Sequence, residues 1–208
     1  MESIHQDQPV IKAGLDASNA AQGVILLHGR GALAQSLVPL AQSLGLNRAA
    51  FRIPQAGSQR WYPHSAFDSL SANQPDLDSA LEVIDRMISE LEDAGIPGEQ
   101  IYLGGFSQGA CLAAEYGARN TRRYGGIFIF SGALIGPRGL ERDYTGSLQG
   151  TPVFIGCSDQ DPWVAHDLVE NTAQTLSDLG GMVDFRTYPG LGHTINQEEI
   201  EVVSAWLE

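Results

Sequence analysis

Short, almost continuously apolar runs recur along this chain, each bounded by Gly, Pro or polar residues. GVILLHG (23–29), AAFRIP (49–54), QIYLGGFS (100–107), GGIFIFSG (125–132) and TPVFIGCSD (151–159) have the length of strands. They lack the in-out alternation of a strand with one wet face, so they are expected as central strands of a mostly parallel sheet buried on both faces. Between them lie amphipathic stretches. In DLDSALEVIDRMISELEDAG (76–95), Leu77, Leu81, Ile84, Ile88 and Leu91 recur every three or four residues, acids fill the other face, and Gly95 and Pro97 end the helix. A second helix is expected from Val164 to about Leu179 and a third from about Gln197 to Trp206, with the strand MVDFRTY between them. Strand and helix alternating in this way predict an α/β architecture with helices on both faces of the sheet.

No linker, repeat or low-complexity tract interrupts the pattern, so residues 1–208 read as one domain, with about 1–20 as an N-terminal lead-in. A chain of this size buries roughly 70% of its unfolded surface and needs no disulfide or metal. No apolar run approaches the ~20 residues that span a bilayer, which excludes an integral membrane segment. The net charge of −13, from 25 acids against 12 bases, opposes binding to nucleic acid, whose backbone is held by Lys and Arg. The opening MESIHQDQPVIKAGLD lacks the basic and then apolar pattern of a signal peptide. Cys111 and Cys157 form no metal-ligand or disulfide spacing, so a reducing cytoplasm is the expected location.

In open parallel sheets, ligands bind beyond the carboxyl ends of the strands. There the sequence places Gly105-Phe106-Ser107-Gln108-Gly109, a G-x-S-x-G pentapeptide between the run IYLG and the small-residue helix GACLAAEYGA. Glycine two residues either side of a serine lets strand and helix approach closely around a presented hydroxyl, the arrangement of a nucleophile elbow. A serine nucleophile needs a base, itself oriented by an acid further along the chain. Only His166 and His193 follow Ser107. His193, in the Gly-rich turn PGLGHTIN, is the candidate base, whereas His166 falls on a helix where a solvated side chain is expected.

For the acid, Asp159 and Asp161 in GCSDQDPWV stand level on local sequence; Asp161 followed by Pro162 also reads as the N-cap and first residue of the next helix. Charge developing on a carbonyl oxygen would meet two backbone N–H groups. One is that of Gln108, at a helix N-terminus; the other is that of Arg30, aimed by Gly29 and Gly31 in LHGRGA (27–32). His28 reads as a side chain that ties this loop down. The absence of a following Lys-Ser or Lys-Thr disfavours a phosphate cradle.

LHGRGA, WYPHS (61–65), GGFSQGA, SDQDPWV and GLGH, in this order, resemble the carboxylesterase, lysophospholipase and acyl-protein thioesterase family of small α/β-hydrolases. The resemblance runs from about Gln22 onward. It implies the α/β-hydrolase fold, with Ser107 as nucleophile, Asp161 as acid and His193 as base. It also implies an oxyanion hole from the Arg30 and Gln108 amides, no cofactor or metal, and a small-molecule carboxylic ester, thioester or lysophospholipid as substrate. It leaves a homodimer open. Ala32 stands where relatives often carry Asp or Gly, Trp163 where a smaller aliphatic is common, and Ala165 where a proline often follows.

Leu33, Trp61, Tyr62, Phe67, Trp163 and Leu191 are expected around the acyl or alcohol pocket, and the bulk of Trp163 suggests one narrowed for small to medium acyl chains. Two other readings share the architecture. A dienelactone-type lactone hydrolase usually has cysteine where Ser107 stands, and a non-catalytic receptor has no need of a complete triad.

Overall fold

A computed structural model of the protein describes residues 4–45 and 47–208; the first three residues of the lead-in lie outside it. The apolar runs form strands β2 (Gly23–Leu27), β3 (Ala50–Pro54), β4 (Ile101–Phe106), β5 (Gly126–Phe130) and β6 (Pro152–Ser158), and MVDFRTY forms β7 (Met182–Tyr188). Every residue of β2, β3 and β5 is buried. A further strand, β1 (Val10–Gly14), lies inside the stretch expected to be a lead-in and pairs antiparallel with β3, Val10 opposite Pro54. It is an edge strand of mixed burial with Lys12 at its centre, so its apolar signal is weak. The seven strands run in the order β1-β3-β2-β4-β5-β6-β7, and all neighbours except β1 and β3 are parallel.

Successive residues of a strand point to opposite faces, and here both faces are apolar. Val24 and Leu26 face a cluster containing Phe128, Phe130, Ala41 and Leu44. That side is covered by α1 (Val38–Gly45) and α5 (Gln197–Ser204). Ile25 and Leu27 face the opposite cluster, completed by α2 (Asp76–Asp93), α3 (Gln108–Arg119) and α4 (His166–Asp178).

The α2 positions Leu77, Leu81, Ile84, Ile88 and Leu91 are all buried. Two helix bounds differ from expectation. The fourth helix starts at His166 with Ala165 at its N-cap, so Asp161 does not cap it. The last α-helix ends at Ser204 and continues as a 3-10 turn over Ala205–Leu207. Among the described residues no helix is long and apolar enough to cross a membrane.

The chain leaves β2 on one side toward β3 and returns on the other as β4. Loops diverging from adjacent strands at such a reversal leave a crevice beyond the carboxyl ends. The loop after β2 and the start of α3 border it.

Candidate active site

Ser107 follows β4 directly and adopts φ 56°, ψ −120°, a conformation that costs a non-glycine residue of the order of 1–3 kcal/mol. Its backbone is held by hydrogen bonds from its N–H to the Phe130 carbonyl at 3.0 Å and from the Cys111 N–H to its own carbonyl at 2.9 Å. The flanking glycines are required by close approach to β2. A Cβ on Gly105 would stand 2.4 Å from the Leu27 carbonyl oxygen, and one on Gly109 would stand 2.2 Å from the same atom.

His193 reaches this serine from the loop between β7 and α5. Its Nε2 lies 2.8 Å from Ser107 Oγ and its Nδ1 lies 2.6 Å from Asp161 Oδ2. The Asp161 side chain is fully buried, and its Oδ1 accepts the Trp163 and Val164 amides at 2.8 and 3.0 Å. A carboxylate is an acceptor only, so Nδ1 carries the imidazole proton and Nε2 accepts the serine hydroxyl. The cap expected from Asp161 therefore serves the bend after Pro162 and leaves Oδ2 for the imidazole.

Asp159, level with Asp161 on local sequence, makes a different contact: its Oδ1 accepts the Gly190 amide at 2.8 Å. Ser158 Oγ accepts the Gly192 amide at 3.0 Å, so the end of β6 grips the histidine loop on both sides of Leu191. The Phe106 ring packs against the imidazole with centroids 4.8 Å apart. His166 lies on α4, with its Nε2 2.9 Å from Thr187 Oγ1.

The loop after β2 is fixed by His28, whose buried ring donates from Nδ1 to the Gly29 carbonyl at 2.8 Å and accepts the Ala56 amide on Nε2 at 3.0 Å. Burial lowers its pKa and favours the neutral ring those two bonds require. Among the described residues neither the Arg30 nor the Gln108 amide donates to a protein acceptor. Gln108 is the first residue of α3, where the helix dipole favours negative charge.

Ser107, His193, Arg30 and Gln108 border a cavity of about 850 Å³. Of the six side chains expected around it, Tyr62, Phe67 and Trp163 line it and the other three do not. Trp61 is buried beneath the loop, Leu33 is 54% exposed, and Leu191 lies outside the lining. Trp163 is itself 73% exposed, so it sits on the rim and its bulk does not shorten the interior.

The apolar wall comes instead from Leu37, Leu40, Phe106, Val164 and Ile195. Leu37 and Leu40, three residues apart, carry the spacing of ordinary helix core, which conceals this role. Cys111 also lines the cavity one turn after Ser107, and burial pushes its thiol up to about 11, which keeps it unreactive. Among the described residues no group of three or more His, Cys, Asp or Glu could hold a metal ion.

A mostly parallel sheet of this order, with a serine at a strained strand-to-helix turn beyond a central strand, defines an α/β-hydrolase. A family model described as Phospholipase/Carboxylesterase matches residues 7–208, and the chain belongs to that family. It is similar to a phospholipase/carboxylesterase of Dyadobacter fermentans, whose crystal structure has 41% sequence identity and a TM-score of 0.92 over 98% of this chain and 97% of that one. It is 29% identical over 220 residues to acyl-protein thioesterase 1 of Yarrowia lipolytica, covering 96% of both chains. It is also 28% identical to lysophospholipase-like protein 1 of Mus musculus, over 88% of this chain and 84% of that protein. The members so named are ester or thioester hydrolases.

Proposed function

We propose that this chain is a serine carboxylesterase that works through an acyl-enzyme on Ser107. The reading rests above all on two successive hydrogen bonds, Ser107 to His193 and His193 to Asp161, set at a mostly apolar cavity. Ser107 Oγ forms a bond to the ester carbonyl carbon while its proton passes to His193 Nε2. The carbonyl electron pair moves to oxygen, where the Arg30 and Gln108 amides receive the charge. As the pair returns, the bond to the alcohol breaks and the imidazolium delivers its proton to the departing oxygen. Asp161 holds the imidazole in the required tautomer and stabilises its charged form. Water, deprotonated by the same nitrogen, then releases the acid and restores Ser107.

The same steps cleave a thioester, and the names of the relatives put protein thioesters and lysophospholipids beside simple esters as substrates to test. With Trp163 on the rim, the interior has room for acyl chains beyond the small to medium length its bulk suggests. Two free, buried cysteines accord with a reducing cytoplasm.

The experiment is hydrolysis of p-nitrophenyl esters from acetate to palmitate, with Ser107→Ala alongside. Turnover by the wild type and a loss of about a thousandfold or more in the variant are expected. Equal activity of the two would overturn the assignment.

A further inference from the structure

Arg30 and Gln108 belong to different elements, yet both send their side chains to one segment, residues 61–64. The buried Gln108 amide group accepts the Trp61 N–H on Oε1 and donates from Nε2 to the Tyr62 carbonyl, both at 2.9 Å. The Arg30 guanidinium donates from one nitrogen to the Pro63 carbonyl at 2.8 Å and from another to the His64 carbonyl.

The segment answers with contacts to the loop after β2. The Trp61 indole N–H donates to the His28 carbonyl at 2.8 Å, and nearby Gln59 accepts the Gly31 amide at 2.7 Å. The segment is itself anchored, because the fully buried Asn73 accepts the His64 N–H at 2.9 Å and His5 meets the Trp61 carbonyl at 3.0 Å. Arg30 has no carboxylate partner among the described residues. Its planar fork instead spans two successive backbone carbonyls, a geometry a point-charge ammonium does not reproduce.

We infer that Trp61–His64 is a brace for the oxyanion site and that the side chains of Arg30 and Gln108 are positioning residues which set the separation of their own amides. The inference rests on the esterase reading above. Stabilisation of a developing charge depends steeply on donor placement, and a misplacement of about 1 Å costs up to about a hundredfold in rate. Arg30 itself is flanked by Gly29 and Gly31, so between the anchored His28 and the Gly31 amide held by Gln59 the fork is what restricts the rotation of its peptide.

The test compares wild type, Ser107→Ala, Arg30→Met, Arg30→Lys and Gln108→Glu. It reads kcat and KM on p-nitrophenyl butyrate, affinity for an alkyl trifluoromethyl ketone, whose serine adduct carries an oxyanion, and thermal melting. Arg30 is exposed, so Arg30→Met is expected to fold. Its kcat should fall about tenfold to a hundredfold, with KM within about twofold and the ketone weakened by the same factor as kcat. Arg30→Lys should fall between, and Gln108→Glu, which keeps the Trp61 contact and loses the Tyr62 one, should behave like Arg30→Met.

A folded Arg30→Met with kcat and ketone affinity within twofold of wild type overturns the brace while Ser107-dependent turnover leaves the esterase reading standing. A fall in kcat with ketone affinity intact overturns it as well. Absence of Ser107-dependent turnover in the wild type removes both.

Discussion

The carboxylate of Asp161 divides its two oxygens, Oδ2 to His193 Nδ1 at 2.6 Å and Oδ1 to the amides after Pro162. Asparagine at this position keeps an oxygen for those amides and turns an NH2 group toward the imidazole. The ring then accepts on Nδ1 and carries its proton on Nε2, where it cannot take one from Ser107. Asp161→Asn is expected to lower kcat by about 10³ to 10⁴ with a melting temperature close to wild type. Paired kinetics and calorimetry check this, and a variant keeping a tenth of its activity would contradict the tautomer argument.

Asp159 acts on the same histidine through the backbone. Asp159→Ala frees the Gly190 amide and loosens the loop that carries His193. A fall in kcat of about tenfold is expected, with KM nearly constant, because the ring is still held by Asp161. Asp159→Asn, which retains an acceptor oxygen, should recover most of that loss. A loss as large as that of Asp161→Asn would show that the two carboxylates share one role.

Glu199 closes the capping box of α5, with Oε2 accepting the Asn196 N–H at 2.7 Å, while Oε1 is buried without a partner among the described residues. Burial pushes its pKa from 4.5 to about 7. Between those values the folded state holds a proton that the unfolded chain has released, so stability falls as pH rises and then levels off above about 7. Ionising this carboxyl in the fold above about pH 7 therefore costs stability of the order of a few kcal/mol. Glu199→Gln, neutral at every pH, is expected to raise the melting temperature at pH 8 and leave it nearly unchanged at pH 5. Equal effects at both would show that the carboxyl titrates as it does in water.

Gly109 tests the elbow. The Cβ of Gly109→Ala would stand 2.2 Å from the Leu27 oxygen and 2.7 Å from the His28 oxygen, both backbone atoms that cannot rotate away. Overpacking against rigid backbone is expected to cost about 3 kcal/mol or more, read by urea denaturation. Whatever folds should hydrolyse poorly, since α3 moves off β2 and separates the Gln108 amide from that of Arg30.

The parts of this fold legible in the sequence are those with a local cause. Strands buried on both faces need unbroken apolar runs, and a presented serine needs glycine on either side, so β2 to β6 and the elbow announce themselves. The juxtaposition of His193 with Ser107 follows from a glycine-rich turn placed after a strand. Asp159 and Asp161, two aspartates on one short turn, look alike on local sequence; the family resemblance points to Asp161, and the β7–α5 loop laid over them gives the physical reason, one carboxylate meeting a ring and the other a backbone amide. The edge strand β1 has too little burial to leave a pattern. The cavity wall is the least legible part, because Leu37, Phe106, Val164 and Ile195 converge from separate segments. Whether a leucine or tryptophan faces cavity or solvent depends on neighbours far away in the chain.

Two apolar clusters pack the sheet below, while Ser107, Asp161, His193 and the cavity rim lie on turns and loops that leave its carboxyl edge. Exposed rim positions such as Trp163 and Ser36 make little contribution to the packed interior, so the chain can be diversified there without eroding its capacity to fold. Libraries restricted to these positions should yield mostly folded variants that differ in which ester they prefer. Selection acting on substrate choice and selection acting on persistence of the fold then fall on separate sets of residues, which makes this scaffold readily adaptable.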